Sequence, residues 1–380
     1  MKKLSLFFTL LLIFSSSSLI ISQVKINIVV TSNNVKSNEQ IFISGNKPEL
    51  GNWNPAIIGL DKINDSTYAR EFKFNEGEVI EFKFTKGSWD SEALNDNEST
   101  PGNIIIKVLH DTSINYRINH WKNSRSKIAG QITGKVIYHN NFKGKNILPR
   151  NIIVWLPPSY DSLPDKHYPV LYMHDGQNIF DPATSSFGVD WQIDETADSL
   201  IKSEAIREII IVGIYNTYQR RVEYVNSDTG YAYMKFIVDE LKPFIDKTYR
   251  TFSDKSSTAV GGSSLGGLIS FMLAWEYPNV FSMAACLSPA FKIDKIDYVS
   301  SVLDYSGPKK PIKFYIDNGG VGLDEKLQPG VDEMISALKE KGYEQGKDLY
   351  CFFDLTAEHN ERAWSKRVWR FLEYFFSTSK

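Results

Sequence analysis

Residues 257–275 read STAVGGSSLGGLISFMLAW. A short β-branched run, Ser257 to Val260, meets a cluster of glycines and serines and then an apolar stretch, Leu268 to Trp275, of helical character. Within the cluster, Gly262-Ser263-Ser264-Leu265-Gly266 has glycines two residues to either side of Ser264, the arrangement that lets a strand turn tightly into a helix. A serine on such a turn is lifted out of the sheet with its hydroxyl exposed. Ser263 is the off-register alternative, but only Ser264 has both flanking glycines.

Working outward, solid apolar runs alternate with helix-like segments: IIVWLP, PVLYMH, EIIIVGI, STAVGG, FSMAACLSP, IKFYID and LYCFFDL. Such runs suit strands buried on both faces, so residues 128–380 predict an α/β domain around a mostly parallel sheet with flanking helices. One helix presents Val331, Met334, Ile335 and Leu338 on one face, and the last carries Trp364, Val368, Phe371, Leu372 and Phe375. Cys286 and Cys351 both fall in these apolar runs and read as core residues, so no disulfide framework is expected.

A seryl hydroxyl needs a base to take its proton. His359 follows the strand LYCFFDL and precedes the last helix, which makes it the candidate. His110 and His120 lie outside the domain or in its approach, and His139 and His167 read as solvent-facing. His174 ends a strand just before Asp175-Gly176-Gln177, where backbone is better suited to an oxyanion hole than the imidazole is to a base. The acid should lie between nucleophile and base in chain order. The loop Asn318 to Glu325 reads as flexible and offers Asp324, with Glu325 and Asp317 as alternatives. The N–H of Leu265, next to the nucleophile, and that of Gln177 are the expected oxyanion donors. No residues at metal-ligand spacing accompany His174 and Asp175, so neither a metal nor another cofactor is expected.

Upstream the pattern changes to period two. Val24, Ile26 and Ile28 alternate with Lys25 and Asn27, and Phe82 and Phe84 with Glu81 and Lys83, which predicts a small antiparallel β-sandwich over 24–110. Residues 111–127 are polar and unpatterned and read as a linker. The first 23 residues, MKKLSLFFTLLLIFSSSSLIISQ, have the layout of a secretory signal, so a secreted or periplasmic protein is expected, with no membrane span after signal removal. With 43 basic and 45 acidic side chains and no long basic run, nucleic acid is not an expected partner.

These motifs carry two resemblances. NIIVWLPPSYD, YPVLYMHDGQNIFD, RRVEY, KPFIDKTYRT, GGSSLGGLIS, LSPAF and HNERAW, in that order, resemble the esterase branch of the α/β hydrolases that includes enterochelin and feruloyl esterases. The resemblance implies a serine carboxylic-ester hydrolase with Ser264 as nucleophile, His359 as base and Asp324 as acid. IFISGNKPELGNWNP, EFKF and GSWDSE resemble the starch-binding module of amylases and glucoamylases. That likeness implies that Trp53 and Trp89 stack on glucose rings while Lys83 and Asn103 bond sugar hydroxyls, and strand alternation places Lys83 toward solvent. Flat, apolar sugar faces on paired indoles are sound chemistry independent of the name. The expected partners are therefore a polysaccharide, an α-glucan, and a small ester. Hydrolysis of siderophore or other small esters is the competing activity. A peptidase, or a glycan-binding protein whose hydrolase domain is inactive, represents the other classes, although Ser264 and His359 together argue against inactivity.

Overall fold

The structure, a computed structural model, describes residues 23–36, 39–96, 100–122, 130–186 and 188–378. The expected signal, up to 22, and the expected linker from 123 onward lie outside the described residues. The chain divides into two compact units, one ending at Lys122 and the other beginning at Asn123.

The first unit has two four-stranded sheets. In one, Gln23–Thr31 pairs antiparallel with Thr67–Asn75 and parallel with Thr112–Arg117, and Asp61–Lys62 completes the other edge. In the second, Val79–Thr85 lies between Phe42–Gly45 and Ile104–Lys107, with Ile58–Gly59 outermost. The predicted alternation is seen directly: Val24, Ile26, Ile28 and Val30 are buried against Ile43, Phe72, Phe82 and Phe84. The strand Thr112–Arg117 corrects the expected linker, since ordered strand continues to His120–Trp121. Only Ile114 and Tyr116 of that strand face the core, so its periodicity is faint. What makes it a strand is the partner 86 positions away, on which Asn27 bonds Ser113.

The second unit is built on an eight-stranded sheet. In chain order its strands are β1 (Lys135–Phe142), β2 (Arg150–Leu156), β3 (Val170–His174), β4 (Ile210–Ile214), β5 (Thr258–Ser263), β6 (Met283–Leu287), β7 (Lys313–Val321) and β8 (Leu349–Glu358). In space they run β1-β2-β4-β3-β5-β6-β7-β8, and β2 alone runs opposite to the other seven. The seven runs read from the sequence became β2 to β8. β1, half-exposed and polar along much of its length, carries no comparable signal.

Both faces of this sheet are covered. Along β2, Ile152, Val154 and Leu156 enter one core while Ile153 and Trp155 enter the other. The first is closed by helices including α1 (Leu265–Glu276) and α2 (Leu323–Glu340), which buries Val331, Met334, Ile335 and Leu338 as expected. The second is closed by the C-terminal segment, which forms two short helices, α3 (Glu361–Ser365) and α4 (Val368–Phe376), in place of the single helix expected. Its five predicted apolar residues are all buried there. Cys286 is buried in β6 and Cys351 half-buried in β8; both are free thiols.

Candidate active site

Ser264 occupies the turn between β5 and α1 with φ 58° and ψ −124°, a left-handed conformation costly for a non-glycine residue. Its N–H donates to the Leu287 carbonyl at 2.9 Å, and its own carbonyl accepts from Leu268 and Ala290 at 3.1 Å each. A Cβ on Gly262 would lie 2.8 Å from the Gly266 backbone, so strand and helix approach this closely only because the residue is glycine. Ser263 is buried within β5, whereas Ser264 is half-exposed. Among the described residues no side chain hydrogen-bonds the Ser264 hydroxyl.

His359 lies just beyond β8, and its Nδ1 is 2.6 Å from Asp324 Oδ1. Asp324 is wholly buried, and its Oδ2 accepts the Gly319 N–H at 2.9 Å and the Ser288 hydroxyl at 3.0 Å. The structure thus separates the three acid candidates. Glu325 points to solvent. Asp317 is buried elsewhere, 3.2 Å from Arg367 and accepting from the Tyr315 hydroxyl at 2.8 Å. Burial pushes its carboxyl up to about 6 despite the Arg367 charge. The expected flexible loop is a correction: Asn318, Gly319 and Gly320 still belong to β7, and Asp324 sits in the first turn of an 18-residue helix. The glycines serve close approach, since a Cβ on Gly319 would fall 2.2 Å from Asp324 Oδ2 and 2.4 Å from the Ala357 carbonyl.

Sequence reasoning missed the support around this acid. Ser288 Oγ, besides donating to Asp324, accepts from Trp364 Nε1 at 3.1 Å and Arg367 Nη2 at 3.0 Å. The Trp364 ring also meets the His359 ring edge-on at 5.0 Å. LSPAF and HNERAW were visible as motifs, but nothing in either states that Ser288 and Trp364 touch. Because β5 through β8 are mutually parallel, Ser264, Asp324 and His359 all leave the sheet at its C-terminal edge.

β3 ends at the same edge and leads into the turn Gly176–Asn178 that carries Gln177, which is buried. Leu265 is the first residue of α1, where an amide has no intrahelical partner. Asp175, at φ 57°, receives both Arg220 Nε and Nη2 at 2.7 Å and Asn216 Nδ2 at 2.6 Å. Burial would raise the Asp175 carboxyl, but the Arg220 guanidinium overrides it and holds the pKa below the ordinary value. A fixed anion therefore braces the turn from behind, a second feature that sequence reasoning missed. His174 is fully buried, its Nδ1 lies 2.8 Å from the Tyr233 hydroxyl, and burial pushes its pKa down to about 3. It is neutral near pH 7 and fully enclosed, whereas the His359 side chain keeps 14% of its surface exposed. His139, read as solvent-facing, is half-buried against Phe244 and 2.7 Å from the Tyr249 hydroxyl.

On the sandwich, Trp53 and Trp89 are brought together with ring centroids 6.4 Å apart and planes at 38°. Left-handed backbone at Gly51, Asn52 and Trp53 (φ 81°, 47° and 65°) directs this turn. Both indoles are partly exposed, and the core tryptophan is Trp121. Lys83 is a correction: it does lie on the face opposite Phe82 and Phe84, but its side chain is only 16% exposed and its Nζ is 2.5 Å from Glu92 Oε1. Asn103 is likewise engaged, donating to Glu81 at 2.9 Å.

A mixed eight-stranded sheet in this order, with a strained serine after the fifth strand and a histidine after the last, defines the α/β-hydrolase class. The chain belongs to the esterase family described as "Putative esterase", whose model matches residues 148–370. Residues 23–118 match the starch binding domain. An endo-1,4-beta-xylanase/feruloyl esterase of Xylanibacter ruminicola is 27% identical over 195 residues, 50% of this chain and 25% of that protein. The chain thus spans about a quarter of that relative's length. An amylopullulanase of Thermoanaerobacter thermohydrosulfuricus is 28% identical over 103 residues, 26% of this chain and 7% of that one. Among solved structures, a ferulic acid esterase superposes with TM-score 0.54 at 20% identity, covering 64% of this chain and 98% of its own. The enterobactin esterase of Shigella flexneri gives TM-score 0.52 at 11% identity over 88% of each chain. At these identities the solved structures attest the fold. No helix among the described residues is long and apolar enough to cross a membrane.

Proposed function

We propose that this chain is an exported serine esterase that cleaves carboxylic esters on carbohydrate-linked substrates while its first unit holds an α-glucan. The observation that carries the reading is the 2.6 Å contact between His359 Nδ1 and buried Asp324 Oδ1, at the sheet edge where the strained Ser264 turn also ends. With Nδ1 committed to the carboxylate, Nε2 of the neutral ring is left free to accept a proton. The seryl hydroxyl closes to hydrogen-bond distance of Nε2 as the substrate seats, since such contacts tighten on binding.

In the first half-reaction Ser264 Oγ attacks the ester carbonyl and His359 takes its proton. The tetrahedral oxyanion is met by the N–H groups of Leu265 and Gln177, each donor contributing about 3 kcal/mol at the transition state. Collapse expels the alcohol, which receives the proton from His359, and leaves an acyl-enzyme. Water then repeats the sequence and releases the acid. Asp324 keeps its charge throughout and stabilises the transient imidazolium. The paired indoles of Trp53 and Trp89 support glycan stacking on the first unit. Lys83 and Asn103 would bond sugar only by exchanging Glu92 and Glu81 for sugar hydroxyls.

The test is ester turnover across acetylated, feruloylated and catecholate substrates, on the folded wild type and on Ser264→Ala and His359→Ala. Each variant should lose several orders of magnitude in kcat, and the double variant no more than either alone. Near-normal turnover by folded Ser264→Ala would end the serine mechanism. Preference for the catecholate ester would move the substrate from glycans to small siderophores.

A further inference from the structure

Behind the turn that bears Gln177 lies a group of three carboxylates that the esterase reading does not use. Asp190, Asp194 and Glu195 each offer an oxygen within 4.8 Å of the others. Asp190 and Asp194 are 5% and 0% exposed. One oxygen of each aspartate is satisfied by backbone: Asp190 Oδ2 by Gln192 N–H at 3.1 Å, and Asp194 Oδ2 by Thr133 N–H at 2.6 Å. Asp194 Oδ1 and Glu195 Oε2 are buried with no hydrogen-bond partner. Among the described residues no lysine, arginine or histidine pairs with any of the three.

Buried like charges this close cannot all persist bare; they take up a proton or gather round a cation. Two buried carboxylate oxygens without a partner make the cost of leaving the cluster uncompensated high. All-oxygen donors select a hard ion. Three protein carboxylates gathered in one place suit Ca²⁺, which takes several carboxylate oxygens in flexible geometry, better than Mg²⁺, which dehydrates reluctantly and usually keeps several waters.

We propose that Asp190, Asp194 and Glu195 bind one calcium-type divalent cation that pins the segment behind the oxyanion turn. This departs from the expectation of no metal, because D-x-x-x-D-E at a helix start reads in sequence as ordinary first-turn acids. Its place explains a use for it. The same segment donates Trp191 N–H to the Asn178 carbonyl at 2.9 Å and Ile193 N–H to the Ile179 carbonyl at 3.2 Å, directly after Gln177. The Trp191 ring packs 5.5 Å from Trp364, which in turn abuts His359. A cation at the cluster therefore holds both the oxyanion turn and the wall beside the base, and acts as a positioning group, remote from the reacting atoms.

The experiment is calorimetric titration of CaCl₂ into the chelator-stripped full chain, with thermal midpoints measured alongside and MgCl₂ as the second arm. One binding event per chain is expected, with a midpoint rise of about 5 °C or more at a hundredfold excess over Kd, and weaker binding of Mg²⁺. Asp194→Asn and Glu195→Gln should each abolish the heat and the rise; the second serves where the first fails to fold. No heat and no rise in folded wild type would overturn the proposal, and so would calcium binding that survives both substitutions. A stripped wild type made more stable by Asp194→Asn, with calcium inert, would show that the pair shares a proton instead. Binding is read without ester turnover, so its failure is distinct from failure of the esterase reading.

Discussion

Asp324→Asn changes one atom at a site where every donor is accounted for. Oδ2 accepts both the Gly319 N–H and the Ser288 hydroxyl, and Oδ1 faces His359 Nδ1. An asparagine here must put its carbonyl oxygen at the Oδ2 position, because an amide NH₂ there would oppose the Gly319 N–H. The NH₂ group then faces Nδ1, which can only accept from it. The proton of the neutral ring moves to Nε2, the atom that in the proposed mechanism receives the Ser264 proton. The imidazole is left in place but in the wrong tautomer, and the imidazolium has lost its buried counter-charge. A loss of about 10³–10⁴ in kcat is expected, about 4–5.5 kcal/mol of transition-state stabilisation at 1.36 kcal/mol per tenfold. The thermal midpoint should fall only slightly, since both Oδ2 bonds survive. The assay is kcat on a chromogenic ester, with Ser264→Ala as blank and circular dichroism as the fold control. Glu325→Gln, at an exposed position, should stay within about twofold of wild type. Folded Asp324→Asn with more than a tenth of wild-type kcat would refute the reasoning, and an inactive Glu325→Gln beside it would reassign the acid.

Gly319→Ala should cost about a hundredfold in kcat together with stability, because the added methyl falls 2.2 Å from Asp324 Oδ2 and must displace the acid; wild-type kinetics would show that the strand yields instead. His174 is held neutral by burial, so its contribution to stability is complete above pH 6.5 and is lost as pH falls from there toward about 3. At pH 5 that loss is about 2 kcal/mol, read as a drop in the urea midpoint between pH 7 and pH 5 that His174→Asn should shrink; an equal drop in the variant would clear His174. Asp317 has the opposite sign, since burial raises its pKa to about 6 and its contribution fades as pH rises through that value, so the paired comparison is needed to isolate the histidine. Trp53→Ala with Trp89→Ala should weaken granular-starch binding at least tenfold, from about 1 kcal/mol per stacked ring, while leaving turnover of a soluble ester unchanged. A wild type that binds no α-glucan would remove the starch assignment and leave the hydrolase intact.

What local sequence determined is what depends on local sequence. Apolar runs of strand length announced β2 to β8, period-two alternation announced the sandwich, and paired glycines announced the turn at Ser264, because side-chain burial and backbone clearance act over a few residues. β1 and the strand Thr112–Arg117 escaped, since each is half-solvated and made a strand by a distant partner. Chain order nominated His359 as the base and offered three candidates for the acid of the proposed triad. The fold then distinguished Asp324 from Glu325, neighbours in sequence, by burying one and exposing the other. Lys83 alternates outward as its strand requires, yet Glu92 covers it, and that pairing is visible only once the strand and the turn after it are folded together. The same holds for Arg220 on Asp175 and for Ser288 between Asp324, Trp364 and Arg367. Hydrogen bonds and ion pairs act over about 3 Å of space, and only tertiary structure decides which residues that space contains.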